Sequence, residues 1–131
     1  GAEGRVIDLL LDEIAALPSI ALDLKMPVDP RVERVCRSLR DEPGDCRTLD
    51  DWARGAGASG RTLARLFLKE TGLSFADWRQ QARLLAAMAR LAAGQPITRI
   101  ALDLGYDSPS AFTAMFRRAL GAPPSRYLAR P

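Results

Sequence analysis

Apolar residues recur at helical spacing along nearly the whole chain, and no segment shows sustained strand alternation. Val6, Ile7, Leu10, Leu11, Ile14 and Leu17 form one stripe, which predicts a helix from about Arg5 to Leu17, ended by Pro18. Ser19 to Pro30 reads as a connector, broken by Pro27, Asp29 and Pro30. Pro30 then opens a helix to about Arg40 with Val32, Val35, Cys36 and Leu39 inward, and Pro43 and Gly44 close it. Thr48 predicts the N-cap of a short helix from Leu49 to Arg54, followed by a tight turn at Gly55 and Gly57. Ser59 caps a helix that runs to Glu70 and stops at Gly72. Ser74, with Asp77 three residues on, resembles a capping box and starts a long helix from Phe75 to about Ala93, ended by Gly94. Pro96 fits the first turn of a short helix ending near Leu104, and Gly105 makes the next turn. Ser108 caps a helix from Pro109 to Leu120 that stops at Gly121, and Pro123 and Pro124 lead into a last short helix around Ser125 to Leu128.

The pattern contains a repeat. Leu49, Ala53 and Gly57 match Ile97, Ala101 and Gly105 at an offset of 48. Ser59, Leu63, Leu66, Phe67, Lys69 and Gly72 match Ser108, Phe112, Met115, Phe116, Arg118 and Gly121 at an offset of 49, so the second turn is one residue longer. Each copy reads as short helix, Gly-containing turn, Ser cap and longer helix, the layout of a helix-turn-helix unit. The expected fold is all-α: seven helices forming two tandem helix-turn-helix units on a long connector helix, plus the N-terminal linker helix. The expected boundaries are a linker over 1–29 and a domain over 30–131, divided into 30–72 (first unit), 73–94 (connector) and 95–131 (second unit).

On the longer helix of the first copy, Leu63, Leu66, Phe67 and Glu70 share the inward side, and Arg61, Ala64, Arg65 and Leu68 lie opposite. On that of the second, Phe112, Met115, Phe116 and Ala119 lie inward, and Ser110, Thr113, Ala114 and Arg117 lie opposite. Small residues let a helix approach base pairs, and Arg offers guanine a bidentate fork. Leu68 is out of place on such a face and is expected to pack on the connector instead. Lys69 and Arg118 flank the two faces and suit phosphate contact, while Ser59 and Ser108 stand at helix N-termini that favour an anion. Arg on one solvated helix face would mean little, but the same outward chemistry twice does. A connector of about 19 residues spans about 28 Å, close to the roughly 34 Å between successive major grooves once helix width is added.

Composition adds less. The chain has 131 residues, 47% of them hydrophobic and 27% charged, with a formal charge of +3, which is enough for a core and only mildly basic. It has no His and only two Cys, Cys36 and Cys46, in no metal-binding spacing. That weakens any enzymatic reading, and neither a cofactor nor a metal is expected. No apolar run is long enough to span a membrane, and no secretory signal is visible, so a cytoplasmic location is expected.

These residues resemble a known family. Ser59-Gly-Arg-Thr-Leu-Ala-Arg-Leu-Phe followed by Glu70-Thr-Gly resembles the first unit of AraC/XylS-type transcription regulators. Ile100 to Arg118, followed by Gly121-Ala-Pro-Pro-Ser-Arg-Tyr, looks like the second unit and its signature; the likeness runs from about Pro30 to Leu128. The resemblance implies a seven-helix domain that reads double-stranded operator DNA in two adjacent major grooves. It places Arg61, Ala64 and Arg65 at the base-reading positions of the first unit, with Thr62 beside them, and Ser110, Thr113 and Ala114 at those of the second. Ser125 and Arg126 fall where the family's last helix meets the phosphate backbone, and Arg117 and Arg118 join the second unit's contacts. Pro109 and Ala114 stand where many relatives carry polar readers, so the first unit is expected to specify sequence more sharply. Family members carry an upstream sensor domain; this chain is too short for one and is expected to be a fragment, with Gly1 a cloning remnant, the effector acting through the missing sensor and RNA polymerase a partner if the regulator activates. Two other readings compete. A DNA-repair enzyme that fuses such a domain to a methyl-accepting cysteine needs a zinc cluster that two Cys cannot supply, and a helical protein-interaction module would lack steep salt dependence.

Overall fold

A computed structural model describes Leu24 and residues 26–128; the expected helix from Arg5 to Leu17 lies outside them. The order is α1 (Pro30–Asp41), α2 (Leu49–Ala56), α3 (Gly60–Thr71), α4 (Phe75–Ala92), α5 (Ile97–Asp103), α6 (Pro109–Leu120) and a terminal 3-10 helix (Pro124–Tyr127). Among the described residues there is no strand. The seven helices match the expected ones, the last of them wound more tightly than an α-helix.

Local chemistry explains the boundaries. Asp29 caps α1 by accepting from Arg31 N at 2.9 Å, with Pro30 at the first helical position. Thr48 and Asp51 form a full capping box on α2, the Thr48 hydroxyl accepting from Asp51 N and the Asp51 carboxylate from Thr48 N. At α4, Ser74 accepts from Asp77 N at 3.1 Å, the cap half of the expected box. Gly55 lies inside α2 rather than in the turn, because the capping box and inward Trp52 and Ala53 carry the helix on to Ala56, and Gly57 makes the turn. Pro96 stands at the cap position before α5, not within it.

The repeat reappears in backbone geometry. Ala58 N donates to Ala53 O, and Tyr106 N to Ala101 O; Leu63 N donates to Ser59 O, and Phe112 N to Ser108 O. The stops agree as well: Gly72 and Gly121 end α3 and α6 at φ 78° and 76°, a left-handed conformation that a side chain resists.

Each unit has its own core. In the first, Val32, Val35, Cys36 and Leu39 of α1 meet Leu63 and Phe67 of α3 and Trp78 of α4. In the second, Leu84, Ala87 and Leu91 of α4 meet Ile100, Leu104, Phe112 and Phe116. The connector serves both clusters, the first ending at its Ala82 and the second beginning at its Leu84. Edge-on rings stiffen each: Phe67 against Phe75 and Trp78 at 5.8 and 6.1 Å, Phe116 against Tyr127 at 5.4 Å.

Cys36 is fully buried, and burial, aided by the charge of Glu33, pushes its thiol up to about 12, whereas Cys46 is exposed. Because the thiolate is the nucleophile, a thiol reagent at neutral pH is expected to modify one Cys per native chain, Cys46, and both after unfolding. Labelling of Cys36 at native conditions would mean that α1 does not stay packed.

Candidate nucleic-acid interface

The outward face of α3 carries Arg61, Ala64 and Arg65, all exposed, with Lys69 at its edge. Leu68 shares this face and is 56% exposed, so it does not pack on the connector as expected; α4 meets α3 along the Phe67 side, which leaves Leu68 outside. On α6, Ser110, Ala114, Arg117 and Arg118 are exposed and Thr113 is half-buried, while Phe112, Met115 and Phe116 face the core.

Neither outward face carries a carboxylate of its own helix. No carboxylate stands in the first turn of either helix, and α6 has none at all. The one carboxylate of α3, Glu70, turns away to accept from the backbone N–H groups of Val28 and Asp29, which explains its inward position. Elsewhere arginines meet acids: Arg31 with Asp29, Arg37 with Glu33, Arg47 with Asp45, Arg54 with Asp51, Arg90 and Arg99 with Asp103. Among the described residues, Arg61, Arg65, Lys69, Arg117, Arg118 and Arg126 make no ion pair. Arg34 and Arg40 on α1 make none either, so it is the gathering of unpaired cations on two helix faces without acids of their own that marks the surface. Neutralised pairs present little field to a distant anion; unpaired cations present all of theirs.

The N-terminal serines are occupied as caps. Ser59 Oγ accepts from Thr62 N at 3.1 Å and donates to Thr62 Oγ1 at 2.9 Å; Ser108 Oγ accepts from Ala111 N at 3.1 Å. What each helix start offers an anion is therefore its other free N–H groups and its dipole. Ser125 and Arg126 are exposed on the terminal 3-10 helix, which packs against α4 and α6.

Sequence reasoning passed over a second group of cations, at the junction of the units. Arg47 lies over the Trp52 ring at 3.8 Å and, beside Asp45, holds that carboxyl below the usual range. Arg79 donates to Arg47 O at 3.2 Å, and burial together with the charge of Arg83 lowers its pKa. Arg83 is only 8% exposed. An arginine between inward-facing Ala82 and Leu84 was the available signal. Arg79, Gln80, Arg83, Tyr106, Met115 and Arg118 line an open cleft between α4 and α6 in which no carboxylate takes part.

Two short-helix, turn, long-helix units with matched caps, joined by one shared helix, define a tandem helix-turn-helix protein. A family model described as a helix-turn-helix domain matches residues 52–130. The chain is 40% identical over 126 residues to the transcriptional regulator NimR of Escherichia coli K12, covering 96% of this chain and 46% of NimR, so it spans about half the length of that relative. The C-terminal domain of AraT, a response regulator from Geobacillus stearothermophilus, superposes at a TM-score of 0.71 with 28% identity, over 76% of this chain and 84% of that one. The DNA-binding domain of AdpA, a global transcriptional factor solved in complex with a target DNA, superposes at 0.68 with 28% identity, over 74% and 88%. The chain belongs to the AraC-type helix-turn-helix family, the DNA-binding domains of transcriptional regulators.

Proposed function

We propose that this chain binds double-stranded DNA by sequence, with α3 and α6 entering successive major grooves on one side of the duplex. The observation that carries the reading is the pair of equivalent, acid-free faces at the two ends of one 18-residue helix. At about 1.5 Å per residue that helix is about 27 Å long, the scale of the groove repeat. Arg61 and Arg65 donate in pairs to guanine O6 and N7, and Ala64 between them permits close approach. Thr62 sits at the rim of the first groove. Ser110, Thr113 and Ala114 read the second groove with fewer polar atoms, so the second unit contributes more through shape and grip. Lys69, Arg117, Arg118, Ser125 and Arg126 take phosphates, as do the helix starts at Ser59 and Ser108.

The reading domain is 30–131, with 1–29 linking it to an upstream sensor. In the whole regulator, which acts in the cytoplasm, a small-molecule effector reaches the operator through that sensor, and RNA polymerase is the partner if the protein activates.

Selection of bound sequences from a random duplex pool at about 0.15 M salt tests this. The expected product is an asymmetric motif of two short blocks about one helical turn apart, the first better defined. Binding to that motif should fall with salt at a log–log slope near −0.9 per phosphate contact. A pool that gains no motif, with binding insensitive to salt, would transfer the two faces to a protein partner.

A further inference from the structure

The connector packs into both cores and sets how far apart the two reading units stand, and their angle is held a second time where the units touch each other directly. The structure shows where: the α1–α2 loop of the first unit lies directly on the α5–α6 turn of the second. A Cβ on Gly44 would come within 2.1 Å of the Asp103 carbonyl oxygen, and one on Gly105 within 2.7 Å of the Gly44 carbonyl oxygen. Backbone meets backbone, with no room for a side chain on either strand of the contact. Gly105 holds φ +85° there, a second reason for glycine.

Arg83 locks this contact from the connector. Its Nε donates to Pro43 O at 2.7 Å and its Nη2 to Asp45 O at 3.2 Å, so one guanidinium grips both sides of Gly44. The same group lies 5.3 Å from the centre of the Tyr106 ring, next to Gly105. The Cys46 thiol reaches the Gly44 carbonyl at 3.3 Å and the Gly105 carbonyl at 3.7 Å, bridging loop and turn. At the far end of α4, Arg90 holds Asp103 at 2.9 Å, on the residue whose carbonyl abuts Gly44. Arg83 also stands between the last connector residue of the first core and the first of the second. A planar fork with several fixed donors suits such a site better than a flexible ammonium.

We infer that this Arg83-centred lock fixes the orientation of the two helix-turn-helix units and thereby sets the spacing between DNA blocks that the chain accepts. The inference rests on the reading of α3 and α6 as the two DNA-entering helices. Arg83 is a positioning residue: it acts through the loop and turn, not on the bases. One added base pair turns the second block by about a tenth of a helical turn as well as moving it along the axis, so a rigid pair of units cannot follow.

Two variants attack the lock from opposite sides. Arg83→Met keeps bulk and removes the donors; Gly44→Ala keeps Arg83 and forces the loop off the turn. Residual dipolar couplings of the DNA-free chain give the relative orientation of the units. Those of the wild type should fit one alignment tensor across both units, and those of each variant should need two. Binding is then measured on the selected duplex with its spacer changed by −1, +1 and +2 base pairs. The wild type should lose about ten-fold or more at each altered spacing, and the variants should hold all spacings within about three-fold. Arg83→Lys, with one charged donor group left, should fall between. A mere loss of stability would lower all spacings alike and leave the profile's shape unchanged. One tensor in both variants, or spacing profiles parallel to the wild type, overturns the inference. If the wild type selects no motif, the DNA reading fails, while the couplings still judge the lock.

Discussion

Truncating Phe116 to Ala is expected to cost about 3–5 kcal/mol of folding stability, the range for removing a fully buried ring. Phe116 has no exposed surface and lies 5.7 Å from Phe112 and 5.4 Å from Tyr127. Its loss would leave a cavity under α6 and remove a ring contact from Tyr127 of the terminal 3-10 helix. Small domains have only about 5–15 kcal/mol in all, so a large part of the stability is at stake. Denaturant unfolding followed by circular dichroism gives the number, and a cost under about 1 kcal/mol would mean that the second core is not packed as described. Phe67, its counterpart in the first copy, should cost a similar amount, since it too is fully buried among rings. Leu68, one residue on, is the control: it is 56% exposed, and Leu68→Ala should stay within about 0.5 kcal/mol.

Arg65→Ala is expected to do the reverse, leaving stability alone and damaging recognition. Arg65 is exposed and, among the described residues, makes no ion pair, so its removal breaks none there and uncovers no core. A bidentate guanine contact is worth about 1–3 kcal/mol, so affinity for the selected site should fall by roughly ten- to hundred-fold. The loss should be specific: discrimination among bases at one position of the first block should collapse while the second block keeps its preference. Arg118→Ala, by contrast, should weaken all duplexes alike and reduce the salt slope by about one contact. If Arg65→Ala weakens matched and mismatched sites equally, Arg65 grips a phosphate and does not read a base.

Much of this protein was legible in its residues. The seven helices, their caps at Thr48, Ser59, Ser74 and Ser108, and the stops at Gly72 and Gly121 depend on residues three or four apart. The repeat was legible for the same reason, because two copies of one local pattern fold into one backbone geometry. The outward placement of Arg61, Arg65 and Arg117 followed from the stripe that faces inward. The boundaries that shifted, at Gly55 and Pro96, are ones where capping and packing outweigh a single residue's preference.

What tertiary structure alone decided lies at long range. Glu70 shares the apolar side of its helix, and only the fold brings the amides of Val28 and Asp29, some forty residues earlier, to its carboxylate. The helical wheel already sets Leu68 outward, but only the fold shows that α4 approaches α3 from the Phe67 side and leaves Leu68 uncovered. The junction is the clearest case. Arg83 meets Pro43 across 40 residues, and Cys46 meets Gly105 across 59. Such pairs carry no periodicity, and one buried arginine or one glycine in a loop looks like many others in a chain. Helical repeats and caps are written in neighbours, so the sequence by itself determined the two units and their outward faces; the angle between them arises where two loops far apart in the chain touch, and only the folded molecule brings them together.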